Sequence, residues 1–168
     1  MGLLLDAATL AAGPLVATAL GEFGADVIKV EQPGTGDPFR AFKGGLYSPH
    51  YQTVNRNKRS VTLDTRQPAD LEKFDALVKD ADVYIQNVRP GFAEQIGAGF
   101  ERLRGINERL IYCAISGFGA TGPAAHRPTY DSVAQAASGY LRLLVNPANP
   151  RVVGPAIADL VTGFYAAY

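Results

Sequence analysis

The chain has 168 residues, in which 16 Lys and Arg balance 16 Asp and Glu, and one cysteine, Cys113. A chain of this length buries well over half of the surface that its unfolded form exposes, so a single domain over 1–168 is expected. The cancelled charge excludes the global basic field that gathers nucleic acid or anionic membrane, one cysteine excludes an internal disulfide, and no run approaches the roughly 20 apolar residues of a membrane helix.

The apolar start, MGLLLDAATLAAGPLVATALGEF, lacks a basic n-region and carries Asp6 in its middle, so it reads as a buried strand and helix and not as a signal peptide. Short β-branched runs then alternate with segments of helical period, the pattern of parallel βαβ units. Strands are expected over 3–7, 27–31, 60–63, 83–87 and 110–115. The first helix, over 14–23, opens on Pro14 and stops before Gly24. The second, over 68–79, repeats that grammar and carries Leu71, Phe74, Leu77 and Val78 on one stripe. Shorter helices are expected over 93–96 and 100–107, a longer one over 131–144, and another from 156 to 168. Residues 34–45, 146–154 and the stretch 39–51 read as loops. The last helix ends without a cap after Leu160, Phe164 and Tyr165, which is expected of a fragment of a longer chain. Cys113 lies within LIYCAIS and reads as a buried, inert thiol, in keeping with a reducing cytoplasm.

Three features carry chemistry. Gly34-Thr35-Gly36 follows the second strand, but it has neither the GxGxxG spacing nor the GK[ST] ending of a phosphate loop, and a turn is the simpler reading. Arg56, Lys58 and Arg59, interleaved with Asn55 and Asn57, read either as a solvated basic loop or as a phosphate-binding entrance to a strand. Asp159 is a lone carboxylate in the apolar segment AIADLVTG, and by itself it reads as an acidic residue favoured in a first helical turn.

The order of seven blocks gives these features a common meaning. LDAATLAAGP, LGEFGADVIKVEQPGTGD, NRNKRSVTLD, DVYIQNVRPG, RLIYCAISGFGATGP, PTYDSVAQAASG and AIADLVTG together resemble the N-terminal part of a class III CoA-transferase, a family that also contains the α-methylacyl-CoA racemases. The resemblance implies an α/β fold, a Rossmann-like parallel sheet flanked by helices, as the N-terminal fragment of an interlocked-dimer enzyme. It further implies that coenzyme A or an acyl-CoA binds across the carboxyl ends of the strands. A carboxylic acid acceptor and a homodimer in the full-length protein follow from it; NAD is not implied, since the dinucleotide fingerprint is missing, and no metal, nucleic acid or membrane partner is expected.

Carried over by position, the resemblance makes Asp159 the nucleophile, which attacks an acyl-CoA thioester and passes through an aspartyl anhydride and an aspartyl-CoA thioester. Both intermediates need water kept out, and Ile157, Ala158 and Leu160 supply apolar neighbours. CoA contacts are implied at Ala11, Ala12, Gln32, Leu63, Asp64, Thr65, Arg66, Asn87, Val88, Arg89, Gln95, Pro128, Thr129, Tyr130 and Asp131. Arg66 and Arg89 are the cations expected at the phosphates, whereas Gln32 and Gln95 stand where some transferases carry basic residues. Asp131 is expected near the nucleophile and also as the N-cap of its own helix. A racemase of this family has a histidine immediately before that acidic residue, where this chain has Tyr130; His126, in a Pro-bounded loop, reads as a surface residue, and His50 has no evident partner. Transfer of CoA is therefore expected over racemisation, with a CoA-binding but catalytically incomplete fragment as the third reading.

Overall fold

The computed structural model describes residues 2–42, 48–152 and 154–168. Strands β1 (Leu3–Asp6), β2 (Asp26–Glu31), β3 (Arg59–Thr62), β4 (Val83–Gln86) and β5 (Ile111–Ala114) pair in parallel in the order β3-β2-β1-β4-β5. The order reverses between β1 and β4, so the chain leaves those two strands toward opposite sides and a crevice opens beyond their carboxyl ends. A parallel sheet needs cover on both faces, and its inner strands accordingly read as nearly continuous apolar runs. On one face Leu4, Val27 and Ile85 pack with Val16 and Ala17 of α1 (Ala12–Glu22). On the other, Leu5, Ile28 and Tyr84 pack with Phe74 and Val78 of α3 (Pro68–Asp80) and Leu103 of α5 (Phe100–Ile106). Full burial of each such side chain stabilises the fold by about 1.5–3 kcal/mol.

The expected strands and the helices at 14–23, 68–79, 93–96, 100–107 and 156–168 are present with ends shifted by one or two residues; the short helix α4 is Phe92–Gln95 and the last helix, α8, is Ile157–Ala167. Two expectations are corrected. The helix over 131–144 is two, α6 (Asp131–Ala137) and α7 (Leu141–Leu144), because Gly139 takes a left-handed φ of 80° and its N–H turns back to the Ala136 carbonyl. The stretch 39–51 is not all loop. A 3-10 turn spans Pro38–Ala41, with Asp37 Oδ1 accepting the Phe39 N–H at 2.9 Å, and helix α2 spans Pro49–Asn55. Both start on a capping-type residue followed by proline, Asp37-Pro38 and Ser48-Pro49, so their start signals were present in the sequence. Residues 43–47, within the loops read at 34–45 and 39–51, and residue 153, within the loop at 146–154, lie outside the described residues. Among the described residues, no helix is long and apolar enough to cross a membrane.

Candidate active site

At the crevice, the loops after β1 and β4 are tied together by one side chain. Asn87 Nδ2 donates to the Thr9 carbonyl at 2.8 Å, and Asn87 Oδ1 accepts the Thr9 N–H at 2.9 Å. Two cavities flank this bridge. The first, about 260 Å3, lies over the ends of β1, β2 and β3; the second, about 370 Å3, lies between the start of α1, the β4–α4 loop and the start of α8. Thr9, Val88 and Phe92 border both, so they form one groove along the carboxyl edge of the sheet.

Gln32, Leu63, Thr65 and Val88 border the first cavity, and Ala11, Ala12, Asn87, Val88, Arg89, Pro128, Thr129, Tyr130 and Asp159 the second. Gly34-Thr35-Gly36 forms a turn, with φ of 81° at Gly34 and 59° at Gly36, and its last two residues line the first cavity. Asp64, Arg66, Gln95 and Asp131 do not border either cavity. Arg66 is exposed and folds back on Asp64, with Nε 2.7 Å from Oδ1, and Gln95 is exposed at the end of α4. The basic cluster at 56–59 divides, with Arg56 and Arg59 exposed and the Lys58 side chain buried, and none of the three borders either cavity. Arg56 pairs with Glu22 at 2.9 Å, Arg59 pairs with Asp26 at the amino-terminal edge of the sheet, and Lys58 turns inward.

Asp159 occupies the first turn of α8, half-buried at the far end of the groove. Burial, and after it the charge of Asp131, pushes its carboxyl above the ordinary aspartate range. Asp131 is not the side-chain N-cap of its own helix. Its Oδ1 instead accepts the N–H groups of Ala158 at 2.7 Å and Asp159 at 3.3 Å, so it caps the start of α8, 27 residues along the chain. One turn further on, Gly163 is buried against α1: a Cβ there would sit 2.9 Å from both the Ala12 carbonyl oxygen and the Leu15 side chain. Gly163→Ala should therefore displace α8, costing about 1–3 kcal/mol by overpacking in urea denaturation.

Under the groove lies a buried charge network that the sequence reading passed over. Lys29 of β2 is 1% exposed, with its Nζ 2.8 Å from the Ala8 carbonyl, 3.0 Å from Asp37 Oδ2 and 3.5 Å from Asp6 Oδ2. Lys58 Nζ reaches the same Asp6 oxygen at 2.8 Å and also bonds Pro14 O, Val54 O and Asn55 Oδ1. The available signal was a lysine within the otherwise apolar strand DVIKVE, at the register position beside Asp6. Burial pushes the Lys58 amine from 10.5 down to about 8, with Asp6 opposing it. Between these values the unfolded chain holds more protons than the folded one, so this group's contribution to stability rises as pH increases from about 8 toward 10.5. Urea midpoints measured at pH 8 and 10 should show that rise in the wild type and a smaller one in Lys58→Met. Other residues missed from the sequence are Thr9, Phe92 and Arg127, all bordering the second cavity; the Arg127 guanidinium is held over the Phe118 ring at 5.3 Å.

The chain as a whole has counterparts among known proteins. The pattern of CoA-transferase family III matches residues 3–168. The chain belongs to CoA-transferase family III. It is 40% identical over 168 residues to succinyl-CoA:glutarate CoA-transferase of Homo sapiens, an alignment covering 97% of this chain and 38% of that protein. Acetyl-CoA:oxalate CoA-transferase of Acetobacter aceti is 40% identical over 167 residues, covering 97% and 43%. The crystal structure of a CAIB/BAIF family protein from Brucella suis shares the fold with a TM-score of 0.90 at 38% identity, covering 98% of this chain and 46% of that one. The family III chain thus spans less than half the length of these relatives. The seven-block resemblance and the Rossmann-like α/β fold both stand on these matches.

Proposed function

We propose that this family III chain carries the CoA-binding groove and the acyl-accepting carboxylate of a CoA-transferase. The observation that carries the reading is the position of Asp159, a half-buried carboxylate at the end of a groove that runs along the carboxyl edge of the sheet. In this reading the nucleotide end of CoA takes the first cavity and the pantetheine passes Thr9, Val88 and Phe92 to bring its thioester to Asp159. Arg89 and Arg127 are the cations bordering the groove's second half; Arg66 is already paired with Asp64.

The chemistry balances without a redox partner. An Asp159 oxygen attacks the thioester carbonyl carbon, the C–S bond breaks, and CoA leaves as thiolate. The thiolate attacks Cγ of Asp159, the bond from Cγ to the bridging oxygen breaks, and the donor acid leaves as carboxylate, with CoA on Asp159. An acceptor carboxylate then runs these two steps in reverse and restores the free aspartate. A carboxyl held above the ordinary aspartate range is a more basic, better nucleophile than a solvated one. The acceptor acid, a homodimeric assembly and a cytoplasmic setting belong to the same proposal.

Racemisation has less support. Tyr130 is 71% exposed where a racemase needs its histidine, His126 is exposed and borders neither cavity, and His50 lies against the Phe39 and Phe42 rings. The test is intact-protein mass spectrometry after incubation with succinyl-CoA or formyl-CoA, with hydroxylamine trapping and peptide mapping. An adduct on Asp159 is the expected result. CoA binding by calorimetry with no adduct from either donor would favour the catalytically incomplete fragment. Deuterium uptake at the α-carbon without an acceptor acid would favour the racemase.

A further inference from the structure

Gln135 is 2% exposed in α6, a short helix most of whose other residues are open to solvent or half-buried. Burying a carboxamide costs free energy unless its hydrogen bonds are made, so a buried glutamine calls for partners. Its Nε2 donates to Asp131 Oδ2 at 2.5 Å and to the Pro155 carbonyl at 3.4 Å, both acceptors, which settles the orientation of the amide. Among the described residues its Oε1 has no hydrogen-bond partner, so the donor side is the one put to use. Each bond leads toward α8. Pro155 lies two residues before the first residue of that helix, and the other Asp131 oxygen holds the Ala158 and Asp159 N–H groups. A carboxylate gripped at both oxygens cannot turn without breaking a charge-assisted hydrogen bond.

We infer that Gln135 is a positioning residue for Asp159: it holds the Asp131 carboxylate, which in turn fixes the first turn of α8. The functional meaning of this clamp rests on reading Asp159 as the acyl acceptor, whereas the clamp itself belongs to the ligand-free chain and is tested there. The two can therefore fail separately.

The experiment compares amide hydrogen exchange at Ala158 and Asp159 in the 15N-labelled chain and in Gln135→Met, Asp131→Asn and the double variant. Gln135→Met should speed exchange at Ala158 by roughly fivefold, the loss expected of a weakened helix cap. The double variant should exchange no faster than Asp131→Asn alone, because Gln135 acts through Asp131. Unchanged exchange in Gln135→Met, or an effect that persists in full beside Asp131→Asn, would overturn the inference. If Gln135→Met does not fold, Asp131→Asn decides: the Gln135 side-chain amide protons should lose protection, and their retention overturns the clamp. On the catalytic side, Gln135→Met should keep the CoA affinity seen by calorimetry and slow the labelling of Asp159 by succinyl-CoA by roughly ten- to a hundredfold, the cost of a misplaced reacting group. Equal losses in binding and labelling would mean a general structural effect and would also overturn it. A wild type that takes no label removes the acyl-acceptor reading and leaves the exchange result to judge the clamp.

Discussion

Asp159→Asn is expected to abolish covalent labelling by acyl-CoA, slowing it by on the order of 10^3-fold or more, as removal of a nucleophile does. Asparagine keeps the shape of the side chain and the hydrogen bonds that Asp131 makes to the first turn of α8, since those involve backbone N–H groups. The change therefore removes the attacking oxygen and leaves the groove. CoA affinity by calorimetry should stay within about threefold of the wild type, less than the 1.4 kcal/mol that a tenfold change represents. Stability should move the other way. Burial and the Asp131 charge hold the Asp159 carboxyl above its ordinary value, which means that its charged form is disfavoured in the folded chain. A neutral isostere relieves that penalty, so Asp159→Asn should melt at a higher temperature than the wild type. Lost labelling with raised Tm is the signature of a residue kept for chemistry at the expense of stability. Retained labelling in Asp159→Asn would sink the assignment.

Asp6→Ala is expected to destabilise the chain by about 3–5 kcal/mol, a large fraction of the 5–15 kcal/mol typical of a domain. Asp6 is fully buried, and its Oδ2 faces the ammonium groups of Lys29 and Lys58, while its Oδ1 accepts the Ala8 N–H at 3.0 Å. Without it, Lys29 keeps the Asp37 carboxylate, and Lys58 loses the carboxylate it pairs with and keeps only carbonyl and amide oxygens. The damage should come from the stranded charge more than from the lost attraction. Asp6→Leu combined with Lys58→Met removes one charge of each sign and should recover part of the loss. Urea denaturation of the single and double variants checks both statements, and a loss below about 1 kcal/mol for Asp6→Ala would show that water reaches the network.

The difference between these two aspartates marks how far a sequence can be read. Asp159 stood out because the family resemblance gives its position a role; Asp6 also lies in a matched block, LDAATLAAGP, but the resemblance assigns it none. Lys29 likewise sat in plain view within DVIKVE. Its significance depends on the register that sets β2 beside β1 and on Lys58 arriving from a loop more than fifty residues after Asp6. The basic cluster at 56–59 stayed open between two readings for the same reason: three cations in four residues look alike in one dimension, yet the packing sends one inward and leaves the other two exposed beside carboxylate partners.

Most strand and helix positions and the parallel α/β class were set by the sequence itself, and the candidate nucleophile was singled out through the family resemblance. They follow from apolar period, from Gly and Pro at element ends, and from short blocks whose members are chain neighbours, all of which are local properties. Tertiary structure alone decided that Asn87 bridges to Thr9, that Asp131 caps α8 in place of its own helix, and that Arg66 is paired with Asp64 and away from the groove. Most of those outcomes hang on contacts between residues tens of positions apart, and even the Arg66 pairing is a rotamer choice made by its surroundings. Hydrogen-bond geometry is satisfied by whichever group the fold brings within about 3 Å, and nothing in the linear order of residues states which group that will be.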